Sequence, residues 1–260
     1  MKILITGAHG FVGNRLMQDL DDTVAAPSMR GMSEEQIRNM IEKSRADVII
    51  HTAAISDVGT CEKDPGASYE ANVRLPLFLA KAAKEQKLIC FSSDQVYRGC
   101  AGEGPYKEED ASPCNVYGRH KLEMEQRVLD VKPDAVMLRA EWMYDYPTKR
   151  SNYLRMLLNE KQVLTFGKQY RGITYLREVA ENMPKIFMLP GGVYNFGSET
   201  KQTMYDITCE MLHFLKSDRK PEEVPPAHNL WMDCTKAKER GILFSDAKEG
   251  LKRCLKDYHL

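Results

Sequence analysis

Apolar positions in the first half of the chain follow two alternating rhythms. Short β-branched and aliphatic runs at 2–6, 47–53, 88–93 and 135–140, with a weaker one at 23–26, read as buried strands. Between them, segments 11–20, 33–44, 69–86 and 116–129 space their apolar residues at helical intervals. Ser33 followed by Gln36 is a capping-box pattern and marks a helix start. Strands alternating with helices predict an α/β protein, a parallel sheet covered on both faces. The stretch 98–115, rich in Gly, Pro and charge, predicts a long loop. After about Asp145 the rhythm loosens: helices are expected at 151–160, 176–188 and 204–215 and a strand at 192–196. A Pro-rich piece at 221–226 then leads into two short helical segments. Some of these late elements should complete the sheet and others should form a small lobe.

Composition narrows the function classes. The chain has 260 residues, room for one substantial core but hardly for two full domains. Lys plus Arg balance Asp plus Glu at 37 each, so no basic field draws the chain to nucleic acid or to a membrane surface, and a small-molecule partner is expected. The seven cysteines (61, 90, 100, 114, 209, 234 and 254) are dispersed without a C-x-x-C pair, which suits a reducing compartment and argues against a disulfide framework or zinc. The six histidines show no H-E-x-x-H or His-x-His spacing, so no metal is expected. With a strand beginning one residue after Met1 and no 18-residue apolar run, a cytoplasmic location is expected. A homo-oligomer is compatible with all of this.

The first expected strand ends in Thr6-Gly7-Ala8-His9-Gly10-Phe11-Val12-Gly13, a GxxGxxG turn that runs straight into a helix. Gly7 permits a tight turn, Gly10 lets backbone approach a pyrophosphate, and Gly13 lets the helix pack close on the strand. The helix start at Phe11 and Val12 offers free N–H groups to an anion. Three glycines alone recur by chance; their place at the first strand-to-helix junction is what makes them informative. The end of the second strand usually carries a carboxylate for the ribose of NAD, but positions 23–31 contain neither Asp nor Glu. Arg30, or Arg15 on the first helix, could pair with a 2′-phosphate, so NADP(H) is favoured over NAD(H). The plainer reading of Arg30 is a solvated loop charge.

Tyr117 and Lys121 stand four residues apart at the start of a helix, on one face. A phenol with an ordinary pKa of about 10 can exchange protons with a carbonyl or alcohol oxygen when a neighbouring ammonium favours its ionised form. Such pairs also occur on many exposed helices. A second element gives this one weight: the fourth strand ends Ser92-Ser93-Asp94, putting hydroxyls at the carboxyl edge of the sheet, where open α/β folds bind ligands. Ser93, with Ser92 as the competitor, could donate to the oxygen that Tyr117 protonates.

The joint set TGAHGFVG, FSSDQVY and NVYGRHKLEME resembles the extended short-chain dehydrogenase/reductases. Residues 113–118, 138–144, 168–174, 192–197 and 232–236 narrow the likeness to the dTDP-4-dehydrorhamnose reductase branch, with its relative the regulatory β subunit of methionine adenosyltransferase. The resemblance implies a Rossmann-type doubly wound parallel sheet, with residues 1–145 binding NAD(P) and 146–260 forming a small C-terminal substrate lobe interleaved with elements that complete the sheet. It implies reduction of a nucleotide-activated 4-keto sugar, with Ser93, Tyr117 and Lys121 catalytic. Gly7, Gly10, Phe11, Val12, Gly13, Arg30, Ala53, Ala54, Asn72, Tyr117 and Lys121 would serve the cofactor, and Ser56, Ser93, Gln95 and Trp142 the substrate. Trp142 could equally be core, and Asn72 could merely bridge backbone groups. Gln95 stands where the branch carries an aromatic, and His51-Thr52 where it carries Asn-Ala, which leaves open a different sugar, a non-nucleotide substrate, or a cofactor-binding regulatory role.

Overall fold

The computed structural model describes residues 1–148 and 150–260. Its strands are β1 (Ile3–Thr6), β2 (Thr23–Ala25), β3 (Val48–His51), β4 (Lys87–Ser93), β5 (Val136–Ala140), β6 (Trp142–Tyr144), β7 (Thr165–Phe166), β8 (Ile173–Tyr175), β9 (Gly192–Phe196) and β10 (Glu222–Glu223). Six of them form one sheet in the order β2-β1-β3-β4-β5-β9, every neighbouring pair parallel. The chain leaves β1 to one side for β2 and returns to the other side for β3. The crevice outside the carboxyl ends of β1 and β3 is therefore the switch point where such sheets take ligands.

The helices are α1 (Phe11–Asp19), α2 (Glu34–Ser44), α3 (Val58–Lys63), α4 (Pro65–Tyr69), α5 (Leu75–Ala82), α6 (Val116–Val131), α7 (Tyr153–Leu158), α8 (Leu176–Ile186), α9 (Met204–Phe214), α10 (Thr235–Lys238) and α11 (Ala247–Asp257). Strand alternation sorts the core into two layers. Ile3, Ile5, Val48, Ile50, Ile89 and Leu138 face α1 and α8 through Leu16, Val179 and Met183. Leu4, Ile49, Leu88 and Met137 face α2, α5 and α6 through Ile37, Ile41, Leu79, Met124 and Val128. Each such buried side chain contributes roughly 1.5–3 kcal/mol of transfer free energy, and α8, from the later half of the chain, supplies part of the first face. The fold is thus a Rossmann-type α/β fold.

A third apolar cluster is built wholly from residues after Met143. It includes Tyr144, Tyr153, Leu157, Tyr175, Ile207, Met211 and Leu251. The same half of the chain also supplies β9 and α8 to the main sheet. The capping box at Ser33 and Gln36 forms in both directions.

Local differences from the sequence reading have physical causes. The helix expected at 69–86 is a π-helical segment, Glu70–Arg74, running into α5, which stops at Ala82. Pro76 has no N–H to give and its ring crowds the carbonyl four residues back, and a widened turn just before it relieves both. Helices α3 and α4 are too short to show a period; the Asp57 and Asp64 side chains start them by accepting from the Thr60 and Ala67 N–H groups. The two small pairs, β6 with β8 and β7 with β10, are two or three residues long, below what alternation can reveal. Among the described residues no helix is long and apolar enough to cross a membrane.

Candidate active site

The site is assembled at the carboxyl edge of the sheet. Gly7 has a φ of +71°, and a Cβ there would stand 2.7 Å from the Ala53 nitrogen, so the β1 turn and the loop after β3 touch only because residue 7 has no side chain. A Cβ on Gly13 would meet the Gly7 carbonyl oxygen at 2.3 Å, which is how closely α1 sits on its own turn. Gly10 differs from both. It is the N-cap of α1, gives the helix no capping side chain, and no acidic residue stands in the first turn, where Phe11 and Val12 lie. A Cβ there would meet only the Gly7 carbonyl at 3.1 Å, leaving the space above the turn open. Bare N–H groups and open room fit the diphosphate of a dinucleotide. A cavity of about 310 Å³ adjoins the turn, lined among others by His9, Gly10, Phe11, Asn14, Asp145 and Arg150.

Across the crevice, Ser93 ends β4 and caps a short 3₁₀ turn, accepting from the Gln95 N–H at 3.2 Å and donating to Asp94 Oδ1 at 3.1 Å. Asn115 caps α6 by accepting from the Gly118 N–H at 2.7 Å, placing Tyr117 and Lys121 on successive turns of the helix face turned to the sheet. Lys121 Nζ lies 5.8 Å from the Tyr117 ring centre and donates to the Phe91 carbonyl at 2.7 Å. Burial lowers the Lys121 ammonium to about 8, against nearby Cys90 and Glu125, which favour its charge. Burial likewise pushes the Tyr117 phenol up; the adjacent Ser93 hydroxyl pulls it back and the Asp94 carboxylate pushes it up again. The sequence reading has Lys121 lowering the phenol. Here desolvation outweighs any such pull, and the ammonium is directed to a carbonyl.

The two candidate serines separate cleanly. Ser92 donates to Glu125 at 2.5 Å, and Glu125 is paired with Arg139 at 2.7 Å, both almost fully buried. Arg139 also donates to the Tyr97 hydroxyl and to the Glu108 carbonyl, each at 2.7 Å. That network ties β4, α6, β5 and the long 98–115 loop together, and it leaves Ser93 as the hydroxyl beside the phenol.

Other expected residues fall in several places. Trp142, half-buried, meets Tyr153 edge-on and lies under the Arg171 guanidinium, 5.4 Å from its ring centre. Gln95 accepts from the Asn115 side chain at 3.1 Å. Ala54 and Ser56 are exposed in the loop after β3, where Ser56 accepts from Arg150 at 2.9 Å. Arg30 is exposed after β2. Asn72 departs from a cofactor contact: it is fully buried and its amide is spent on both backbone groups of Ile55 and on Ser68, so it shapes the loop and presents no free atom to the crevice. Arg15 is not available to a 2′-phosphate either, because it is held by Asp19 at 2.8 Å, Tyr258 at 2.9 Å and Asp145 at 3.6 Å.

Sequence reasoning gave no role to Asp94, Glu141, Arg150 or Arg171. Asp94 is buried and accepts from Arg171 at 2.8 Å, Glu141 is buried just past β5, and Arg150 spans the crevice to Ser56. The one signal was Asp94's place directly after the candidate serine.

These elements define a Rossmann-type α/β fold with a hydroxyl, a phenol and an amine gathered at the carboxyl edge of its sheet. The chain belongs to the RmlD substrate binding domain family, whose model matches residues 1–260. The dTDP-4-dehydrorhamnose reductase of Aggregatibacter actinomycetemcomitans is 28% identical over 86% of this chain and 82% of its own length. The methionine adenosyltransferase 2 subunit beta of Mus musculus is 27% identical over 93% and 83%. Among solved structures, dTDP-4-dehydrorhamnose reductase from Bacillus anthracis str. Ames, in complex with NADP, superposes with a TM-score of 0.87 over 99% of each chain at 22% identity. At that identity the superposition speaks for the fold.

Proposed function

We propose that the protein is a reductase of a nucleotide-activated 4-keto sugar that uses NADP(H), as the named function of its reductase relatives suggests. The observation that carries this reading is the Tyr117 phenol, buried and kept protonated beside Ser93, with the Lys121 amine over its ring and the open glycine turn across the crevice. Gly10 and the start of α1 would hold the dinucleotide, whose reduced nicotinamide would supply a hydride to the carbonyl carbon. The Ser93 hydroxyl leaves Asp94 and donates to the carbonyl oxygen, Tyr117 gives its proton to that oxygen as the C–H bond forms, and the Lys121 ammonium stabilises the phenolate left behind. Burial that raises the phenol's pKa suits this direction, since the group must begin as an acid.

Support for NADP(H) over NAD(H) comes from the missing carboxylate after β2 and from exposed Arg30. The methionine adenosyltransferase relatives keep a regulatory reading in view, but a protein that only binds cofactor has no use for the aligned hydroxyl, phenol and amine. Purified protein mixed with NADPH and a panel of dTDP-linked 4-keto sugars should consume nicotinamide absorbance. Binding of NADPH with no turnover of any panel member, together with co-purification of a stoichiometric partner protein, would replace this reading with the regulatory one.

A further inference from the structure

Glu141 is the least expected side chain of the site. It follows the last residue of β5, precedes Trp142, and is 7% exposed. Two glycines make its room. A Cβ on Gly172 would fall 1.9 Å from Glu141 Oε2 and 2.2 Å from the Ser198 carbonyl oxygen, and one on Gly197 would fall 2.5 Å from the carboxyl carbon. Oε1 accepts from Thr174 Oγ1 at 2.5 Å and from the Ser198 N–H at 2.7 Å. The carboxyl thus occupies the gap between the segment that brings Arg171 to the site and the one that leaves β9. Arg171 in turn lies over Trp142 and pairs with Asp94, which accepts from Ser93.

We propose that Glu141 is a positioning residue of the substrate pocket: wedged between Gly172 and Gly197, its carboxyl sets where Trp142 and Arg171 stand, and through Arg171 and Asp94 it sets Ser93. The pocket is the one named in the proposed function, and the placement of Trp142 can be tested without it. Burial favours a carboxyl that carries a proton, against the pull of the two donors on Oε1. Charge agrees. The groups facing Glu141 are Asp94 from the β4 end, Arg171 from the approach to β8, and Cys234 at the start of α10, whose thiol the Glu141 charge helps push up. The single guanidinium is engaged with Asp94. Burial pushes Glu141 up to about 8, with the Thr174 bond opposing and Asp94 adding to the rise. Below that pH the wall is held by a neutral acid; above it, a buried anion repels Asp94 and competes with it for Arg171, which shifts the guanidinium lying over Trp142.

The chain has two tryptophans, so Trp231→Phe leaves Trp142 as the sole indole. In that background the Trp142 emission should shift with a midpoint near pH 8, and the shift should vanish when Glu141→Gln is added. An amide can still accept from Thr174 and the Ser198 N–H and does not titrate. Lys121, which titrates in the same range, is untouched by Glu141→Gln and serves as the internal control. For any nucleotide sugar the protein reduces, KM should rise about tenfold between pH 7 and pH 9 with Glu141 and less than twofold with Gln, while kcat moves equally in both. An emission shift that survives Glu141→Gln, or no shift in either protein, overturns the proposal. An emission shift without turnover of any sugar supports it and removes the functional reading instead.

Discussion

The two walls of the crevice are built differently. The wall at β1 and α1 is backbone: Gly7, Gly10 and Gly13 within one stretch of seven residues, shaped by what they lack. The opposite wall is side chain: Ser93 and Asp94 after β4, Tyr117 and Lys121 on α6, Glu141 and Trp142 after β5, Arg171 before β8. A phosphate is bound well by generic N–H groups, so its wall can be compact and uniform. A reacting carbonyl needs a donor, an acid and a shaped floor at set positions, which no single segment supplies. Substitutions in the first wall should therefore act on cofactor binding, and those in the second on rate and substrate affinity.

The largest effect expected is at the second wall. Tyr117→Phe should lower kcat by about 10²–10⁴-fold, the usual contribution of a positioned acid, with NADPH affinity unchanged. Titration of NADPH into the variant, followed by single-turnover kinetics, checks both halves. A loss shared equally between binding and rate would erase the contrast between the walls. Next is the scaffold beneath them. Glu125→Ala removes the partner of buried Arg139 and of Ser92, and leaving that guanidinium uncompensated should cost about 3–5 kcal/mol in urea unfolding. A cost near that of an exposed ion pair, below about 1 kcal/mol, would show that the network does not hold β4 and α6 in register.

How much of this was legible follows from the same contrast. The glycine turn could be read because its residues are contiguous and its place after β1 is fixed by hydrophobic runs. Tyr117, Lys121 and Ser93 could be read because a helical four-residue spacing and a strand end each leave a local trace. The roles of Glu141 and Arg171 could not be read, because they depend on segments 30 residues apart meeting through the small unannounced pair β6 and β8, and on glycines whose purpose is visible only once Glu141 fills the gap. Asn72 was legible as a special position, with a ligand contact and a backbone bridge both open. Spacing cannot tell an amide that meets a ligand from one that clamps Ile55. The ionisation of Tyr117 was misread for a related reason: the sequence displays the nearby lysine, while burial, which governs the phenol here, belongs to the packed fold.

Within the backbone wall, Gly13→Ala is expected to cost about 1–3 kcal/mol of stability by overpacking against the Gly7 carbonyl, and to weaken NADPH binding because α1 and its N–H groups must shift. Thermal unfolding with and without NADPH separates the two: the cofactor-induced rise in Tm should shrink as well as the base Tm. If only the base Tm falls, the turn is a packing device and its N–H groups are not the anion site.

The smallest effect tests the most exposed part of the same wall. After β2, buried Met29 begins a turn closed by the Met32 N–H to the Met29 carbonyl at 3.0 Å, with Gly31 at a φ of +76° and Arg30 directed to solvent. The turn thus presents one guanidinium at the end of the strand where a carboxylate would select the ribose hydroxyls of NAD, and a guanidinium forks well onto a phosphate. Arg30→Ala should weaken NADPH by roughly tenfold, the scale of one charge-assisted contact near solvent, and leave NADH within a factor of about two. Because the contact is exposed, the difference should narrow as salt is raised from low to physiological strength. Equal weakening of both dinucleotides would mean that Arg30 supports the turn and reads no phosphate, and the preference between the two cofactors would then have to arise elsewhere along the β2 edge.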